Sequence, residues 1–253
     1  MHVFITGASS GIGAALARAY AARGATLALV ARREVTLNEL ADSLPTKTFI
    51  YPLDVTNAEA LLSAANDFIA QAGLPDIVIA NAGVSAGTLT EAAGDLKAFE
   101  RIFATNVMGM VNTFAPFAAA MRRRGSGRLV GIASVAGVRG LPGAGAYSAS
   151  KAAAFAYLEA LRVEMRDCGV KVVTIAPGYI ATPMTAVNNY PMPFLLDVDV
   201  AARRMLRDID RGARCVVLPW QMGVVATLMR LLPDAIYDRL AARAGRKPRD
   251  LPL

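Results

Sequence analysis

The sequence predicts an α/β fold: a doubly wound, mostly seven-stranded parallel sheet with a C-terminal helical extension. Three observations support this prediction. Apolar β-branched runs alternate with long helical patterns, several of those runs are apolar almost throughout, and no linker, repeat or low-complexity segment interrupts the 253 residues. Strands that are apolar throughout are typical of a sheet covered on both faces. Alternation with helices favours right-handed β-α-β crossovers, so we expect one domain over residues 1–253.

The elements follow in alternating order. Each strand is a short run rich in Val, Ile, Leu and Phe, and each helix is a longer segment with helical periodicity. The predicted strands are 2–6, 26–31, 47–52, 76–80, 127–133, 171–176 and 214–218. The predicted helices are 12–23, 34–44, 57–72, 96–123, 147–168 and 198–210.

Two regions depart from the alternation. Residues 178–197 are a long connection rich in Pro, Met and Asn, which predicts a substrate lid over about 178–200. Residues 219–253 form the C-terminal extension, with helical character from Trp220 to Arg243 and a break at Pro233.

The composition indicates more apolar surface than one domain needs. Hydrophobic residues make up 55% of the chain and mean hydropathy is +0.39. Charged residues are 19%, below the usual quarter. We expect the excess in an oligomer interface, a substrate pocket or a lipid contact.

Several function classes are excluded by what the chain lacks. The net charge is +7, but Arg122-Arg123-Arg124 is the only run of three cations. It falls at a helix end, where cations favour the helix dipole, so no nucleic-acid partner is expected. Two cysteines without CxxC spacing and one histidine predict no disulfide, no metal site and no Ser-His-Asp triad.

Targeting signals are also not expected. The chain enters an apolar strand at once, so no signal peptide is predicted, and the cysteine usage favours a reducing cytoplasm. The charge-free stretch from Cys215 to Met229 is too short to span a bilayer.

A glycine loop predicts a phosphate-binding site. A strand ends at Thr6, a helix begins near Ile12, and the segment between them contains Ser9 and Ser10. Its glycines are Gly7, Gly11 and Gly13. Glycines let the backbone approach a pyrophosphate, and a helix N-terminus presents free N–H groups to the anion. The context predicts a dinucleotide site of the Rossmann type.

The residues after the second strand predict a preference for NADP(H) over NAD(H). Domains that prefer NAD carry an acidic residue here to hold the ribose 2′-hydroxyl, and Ala31 cannot do that. Arg32 and Arg33 follow, and guanidinium groups pair well with a 2′-phosphate.

A second motif predicts a proton donor beside a fixed cation. Tyr147 and Lys151 are spaced i, i+4 at the start of a helix and so share a face. A nearby ammonium lowers a tyrosine pKa, which lets the hydroxyl exchange a proton with a carbonyl oxygen. Ser134, at the end of a strand, is placed to hold the same oxygen.

These motifs, in this order, resemble the short-chain dehydrogenase/reductase family from residue 3 to about 218. The resemblance aligns the family's adenine-contacting aspartate with Asp54, followed by Val55. Its further motifs fall on Asn81-Ala82-Gly83, on Asn106 in Thr105-Asn106-Val107, and on Pro177-Gly178 with Ile180 and Thr182-Pro183. Pro177, Gly178, Ile180 and Thr182 resemble the family's nicotinamide contacts.

The resemblance also implies a mechanism. Lys151 would hold the nicotinamide ribose hydroxyls and acidify Tyr147, and Asn106 would anchor a water that relays protons to Lys151. Hydride would pass to a carbonyl polarised by Ser134 and Tyr147. The predicted catalytic residues are therefore Asn106, Ser134, Tyr147 and Lys151.

The C-terminal extension departs from the family pattern. Many members end soon after the last strand with a segment that packs in a tetramer, whereas this chain continues past Trp220. A homo-oligomer is still expected, either a tetramer or a dimer through helices 96–123 and 147–168. Three interpretations of the extension stay open: a wall of the substrate pocket, an oligomer contact, or a membrane-surface contact. The last would use Arg230, Arg239, Arg243, Arg246 and Lys247. The apolar stripe Val225, Leu228, Met229 and Leu232 is typical of core packing.

The lid predicts an apolar substrate. Met and aromatic side chains suit an adaptable hydrophobic pocket, and Met184, Tyr190, Met192 and Phe194 are the candidates besides Ser134 and Tyr147. The predicted function is an NADPH-dependent oxidoreductase that acts on a small carbonyl compound or secondary alcohol. A 3-oxoacyl reductase, an NAD(P)-dependent alcohol dehydrogenase and a non-catalytic dinucleotide-binding regulator are the alternatives.

Overall fold

Seven parallel strands form one sheet in the computed structural model, which describes residues 1–249 and 251. The strands are β1 (His2–Thr6), β2 (Thr26–Ala31), β3 (Thr48–Pro52), β4 (Ile77–Ala80), β5 (Gly127–Ile132), β6 (Val170–Pro177) and β7 (Cys215–Leu218). Their order is β3-β2-β1-β4-β5-β6-β7, so the winding reverses between β1 and β4. The predicted α/β class and doubly wound parallel sheet are confirmed, and each strand boundary lies within one residue of its prediction.

Ten α-helices surround the sheet in the described part of the chain. They are α1 (Gly11–Ala21), α2 (Glu34–Asp42), α3 (Ala58–Ala72), α4 (Leu96–Phe103), α5 (Gly109–Arg124), α6 (Gly145–Glu164), α7 (Pro183–Ala186), α8 (Val198–Arg211), α9 (Trp220–Leu231) and α10 (Asp234–Ala241). Helix α7 and the bridge between Ile180 and Leu196 give the predicted lid a local structure that the sequence did not predict.

Two apolar layers cover the sheet because successive strand residues point to opposite faces. In β1, Val3 and Ile5 pack against α1, α2 and α8, whereas Phe4 packs against α3, α5 and α6. All three residues are fully buried. This arrangement requires strands that are apolar on both faces, as the sequence has them.

The helix predicted over 96–123 is interrupted. Helix α4 ends at Phe103, the chain makes a π-helical turn over Ala104–Met108, and α5 begins at Gly109. A π-turn changes the direction of the side chains that follow it, and such turns are frequent at functional sites. Asn106 lies in this turn.

One stretch, Ala93–Arg124, passes a length and hydropathy test for a membrane span. Only 44% of its most apolar window is buried. A core helix passes the same test, and here Phe114, Phe117 and Met121 are buried under the sheet. The buried side chains of α5 therefore account for part of the apolar character of this stretch.

The C-terminal extension folds back as two helices that meet at Pro233, where a break was predicted. Met222 and Ala226 of α9 pack against Val135, and Tyr237 Oη of α10 donates to Gly140 O at 2.5 Å. The expected apolar stripe is only partly correct: Val225 and Met229 face this cluster, but Leu228 is 59% exposed. Leu228 is two residues after the buried Ala226, about 200° around the helix, and therefore points away from the cluster.

Candidate active site

The glycine loop turns tightly against the end of β4. Gly7 has φ +66°, and a Cβ at this position would lie 2.7 Å from Ala82 Cα. Asn81 Nδ2 donates to Thr6 O at 3.0 Å and to Gly7 O at 3.1 Å. Gly7 therefore needs both glycine's backbone freedom and its missing side chain, and Asn81 holds the loop to the centre of the sheet.

A cleft of about 470 Å³ runs along the carboxyl ends of the strands. Ligands of open α/β sheets bind at this edge, near the point where the winding reverses. It is lined by nearly every residue predicted to contact the cofactor, namely Gly7, Ser9, Ser10, Gly11, Ile12, Arg32, Arg33, Asp54, Val55, Asn81, Ala82, Gly83, Tyr147, Lys151, Pro177, Gly178, Ile180 and Thr182. Gly13 does not line it; a Cβ there would collide with Gly7 O, so Gly13 lets α1 pack on the loop.

The basic pair reaches the glycine loop from β2. Arg33 Nη2 donates to Ser9 Oγ at 3.1 Å, and both Arg32 and Arg33 are exposed at the rim of the cleft. Ala31, the last residue of β2, also lines the cleft. The end of β2 therefore presents two guanidinium groups and no carboxylate to a ligand.

Asp54 is paired with a cation that the sequence did not predict. Arg101 Nη2 of α4 donates to Asp54 Oδ2 at 2.5 Å, and Thr56 donates to Asp54 Oδ1 from both its backbone N and its hydroxyl at 2.9 Å. Burial raises the pKa of Asp54, but these hydrogen bonds outweigh it and lower the pKa overall. No sequence signal marked Arg101, because its position depends on how α4 packs.

The predicted catalytic cation is buried. Lys151 is 4% exposed, and its Nζ donates to Ile132 O at 2.8 Å, at the end of β5. Burial lowers the pKa of Lys151 to about 8. The Lys151 Nζ lies 5.8 Å from the centre of the Tyr147 ring.

The structure does not show the expected lowering of the Tyr147 pKa. Burial raises the pKa of Tyr147, and a hydrogen bond with Ser134 only partly opposes this. The Ser134 hydroxyl also donates to Pro177 O at 3.4 Å and accepts from Ala136 N at 3.2 Å. Desolvation outweighs the hydrogen bond with Ser134, so the Tyr147 hydroxyl keeps its proton at neutral pH, which suits a proton donor.

Asn106 is buried and does not line the cleft. Its Oδ1 accepts from Val84 N at 2.8 Å, and its Nδ2 donates to Val84 O and Ser150 Oγ, both at 3.0 Å. A Cβ at Gly83 would lie 3.2 Å from Asn106 Oδ1 and 3.6 Å from Lys151 Nζ. The missing side chain of Gly83 thus leaves space between Asn106 and Lys151, where the resemblance would place a relay water.

The predicted substrate residues divide into two groups. Met184 lines the cleft, and Tyr190 is half-buried, with its ring 6.4 Å from that of Tyr179. Burial, with Tyr179 and Tyr147 as neighbours, raises the Tyr190 pKa to about 12. Met192 is half-buried beside Asn188, away from the cleft lining. Phe194 has φ +58°, is 50% exposed and does not line the cleft, so its contact with a substrate stays a prediction.

The C-terminal tail packs on the substrate end of the lid. Lys247 Nζ donates to Met184 O at 2.8 Å and to Asn188 Oδ1 at 3.4 Å. Arg249 forms two hydrogen bonds of 2.9 Å with the buried Asp95. Of the cations named for the membrane-surface interpretation, Lys247 therefore binds the lid instead, and Arg246 packs its stem on Gly143 while the residue stays exposed.

Comparison with known proteins shows the family of this chain. Residues 1–192 match the model of the short chain dehydrogenase family. The chain belongs to the short-chain dehydrogenase/reductase family. An uncharacterized oxidoreductase from Myxococcus xanthus (strain DK1622) is 40% identical over 242 residues, which cover 94% of this chain and 95% of that protein.

Solved structures of family members extend the likeness. A short chain dehydrogenase from Burkholderia cenocepacia J2315 in complex with NADP has a TM-score of 0.81 at 29% identity, over 94% of this chain and 96% of that one. A 3-oxoacyl-[acyl-carrier protein] reductase from Brucella melitensis with bound NAD has a TM-score of 0.75 at 27% identity, over 86% and 88%. The family makes this protein an oxidoreductase that binds a nicotinamide dinucleotide. One of these two structures contains NADP and the other contains NAD, so similarity does not show which cofactor this protein prefers.

Among residues 1–249 and 251, no three His, Cys, Asp or Glu side chains cluster as metal ligands would.

Proposed function

We propose that this family member is an NADPH-dependent reductase of an apolar carbonyl compound. The observation that carries the proposal is one cleft with two ends. At one end Arg32 and Arg33 stand where NAD-preferring domains place a carboxylate, and at the other Ser134, Tyr147 and Lys151 converge.

The cleft fits a dinucleotide phosphate on its own chemistry. Gly7 and Gly11 provide a cradle that a Cβ would obstruct, and the N-terminus of α1 provides N–H groups and a positive dipole end. Arg33 is already held by Ser9 at the loop, so it is oriented toward a 2′-phosphate. Thr105 lines the same cleft and has a buried hydroxyl without a hydrogen-bond partner among the described residues, which a ligand can satisfy.

The residues at the other end provide the proton chemistry. NADPH supplies the hydride that reduces the carbonyl carbon. The Tyr147 hydroxyl donates the proton to the carbonyl oxygen, and Ser134 donates a hydrogen bond that holds this oxygen. The Lys151 ammonium stabilises the phenolate left on Tyr147 until a solvent proton restores it. One carbonyl group, one hydride and one proton together give one alcohol.

Apolar character of the substrate is inferred from the lid. Met184, Tyr179 and Tyr190 surround the approach to Tyr147, and in the lid segment 184–196 no residue is charged. The Lys247 ammonium of the C-terminal tail donates hydrogen bonds to a backbone oxygen and an amide oxygen of this lid. It is therefore already bound and does not offer a free cation to an anionic substrate.

The experiment is NADPH consumption against aldehydes and ketones of graded chain length and ring content, with Tyr147→Phe as the blank. Turnover that rises with apolar size and is lost in Tyr147→Phe supports the proposal. Tight NADPH binding without turnover on any member of the panel, or equal turnover in Tyr147→Phe, contradicts it.

A further inference from the structure

The helix α9 has two apolar faces, of which the fold uses one. The inner face packs Met222, Ala226 and their neighbours on Val135. The outer face holds Trp220, Val224, Leu228 and Leu231, which are 68%, 50%, 59% and 74% exposed. Their spacing of four, four and three residues places them on one side of the helix.

Helix α10 also has an exposed apolar side. Ile236 and Leu240 are 48% and 59% exposed and are four residues apart, whereas Tyr237 and Ala241 are buried. Six of the seventeen large hydrophobic side chains that are exposed in the described part of the chain thus fall within residues 220–240. Scattered exposed hydrophobics need no explanation, but such a concentration marks an interaction surface.

Cations lie near the Trp220 end of this outer face. Arg204, Arg207 and Arg211 of α8 line a shallow depression together with Trp220 and two carboxylates, those of Asp208 and Asp210. Arg211 pairs with Asp208, and Arg23 pairs with Asp210, but Arg204 and Arg207 form no ion pair among residues 1–249 and 251. On the extension itself Arg230, Arg239 and Arg243 are exposed.

We propose that the outer face of α9 and α10 binds an anionic lipid bilayer. A helix with an exposed apolar side, a tryptophan and flanking arginines is the form that lies in the headgroup region of a membrane. Anionic headgroups complement the unpaired Arg204 and Arg207. A second copy of the chain seated on this face is the other candidate occupant, and the test below separates the two.

The single tryptophan of the chain makes the test direct, because Trp220 is the only tryptophan fluorophore. Protein is titrated with phosphatidylglycerol vesicles and, in parallel, with phosphatidylcholine vesicles, and the emission maximum and co-sedimentation are recorded. We expect a blue shift and sedimentation with phosphatidylglycerol, and about tenfold weaker partitioning onto phosphatidylcholine.

Variants separate the apolar and the charged contributions. Leu228→Asp with Leu231→Asp should abolish sedimentation, and Arg204→Glu with Arg207→Glu should remove the preference for phosphatidylglycerol. Leu62→Asp is the matched control, since Leu62 is a 48% exposed leucine on α3, far along the chain from this face. Circular dichroism and NADPH binding check that each variant is folded.

Three outcomes overturn the proposal. They are no shift with either lipid, equal binding to both lipids, and a blue shift that depends on protein concentration without lipid. The last would assign the face to a second copy of the chain.

Discussion

Arg33 Nη2 donates a hydrogen bond of 3.1 Å to Ser9 Oγ, so the end of β2 is tied to the glycine loop. The bond holds a guanidinium at the loop where the helix dipole and the loop N–H groups would meet the proposed phosphate. Through this bond Arg33 both holds the conformation of the loop and places a positive charge beside it.

Cofactor choice should depend on the basic pair. Arg32→Asp should weaken NADPH binding by more than tenfold, about 1.4 kcal/mol or more, and leave NADH binding much less affected. The reason is that a carboxylate repels the 2′-phosphate and can accept from a 2′-hydroxyl. Dissociation constants are measured by fluorescence titration. Arg123→Ala, an exposed arginine at the end of α5, is the control, and equal losses for both cofactors would contradict the 2′-phosphate assignment.

The glycine loop should not tolerate a methyl group at Gly7. Gly7→Ala places a Cβ 2.8 Å from Asn81 Nδ2 on a backbone with φ +66°. The left-handed conformation alone costs about 1–2 kcal/mol. We expect a lower thermal unfolding midpoint and weaker binding of both cofactors. Gly94→Ala, which has open space and no positive φ, should change neither; a normal midpoint for Gly7→Ala would show that the loop is not constrained as described.

Buried Lys151 should make stability depend on pH in the alkaline range. Burial lowers its pKa from 10.5 to about 8, so between these values the unfolded chain binds more protons than the folded one. The free energy of unfolding therefore increases as the pH rises across this window. Lys151→Met removes this gain, so its stability relative to the wild type should be higher near neutral pH than at about pH 10. Urea unfolding at both pH values measures it.

The control for that measurement is Lys97→Met, at an exposed lysine of α4. If Lys97→Met and Lys151→Met show the same pH dependence, the assignment of the effect to burial of Lys151 is wrong.

The tail should influence substrate binding and not cofactor binding. Lys247→Met removes the donor to Met184 O and Asn188 Oδ1, a charged bond of a kind that contributes about 1.5–3 kcal/mol when partly buried. The lid loses a tether, so KM for the substrate should rise about tenfold while the dissociation constant of NADPH is unchanged. A rise in both, or in neither, would contradict a tail that acts through the lid.

Pattern alone predicted the sheet, because buried parallel strands must be apolar on both faces and their runs end at glycine or polar residues. The cleft lining followed from motifs that stand at strand ends, as Ser134 and Arg32 do. The oligomeric state and the single domain stay predictions.

Contacts between distant segments could not be predicted. The Arg101–Asp54 pair, the π-turn that holds Asn106, and the binding of Lys247 to the lid all depend on how helices pack after the sheet has formed. Phe194 shows the same limit, since composition predicts that it lines an apolar pocket, whereas it has a positive φ and is 50% exposed.

The central claim is that Tyr147 protonates a carbonyl oxygen while hydride comes from NADPH. The most direct test uses NADPH carrying deuterium at the transferred position, with the best carbonyl compound of the panel, and analyses the product by NMR. We predict one deuterium at the carbinol carbon and no product from Tyr147→Phe. NADPH oxidation without deuterium in the alcohol, or undiminished product from Tyr147→Phe, would contradict the account.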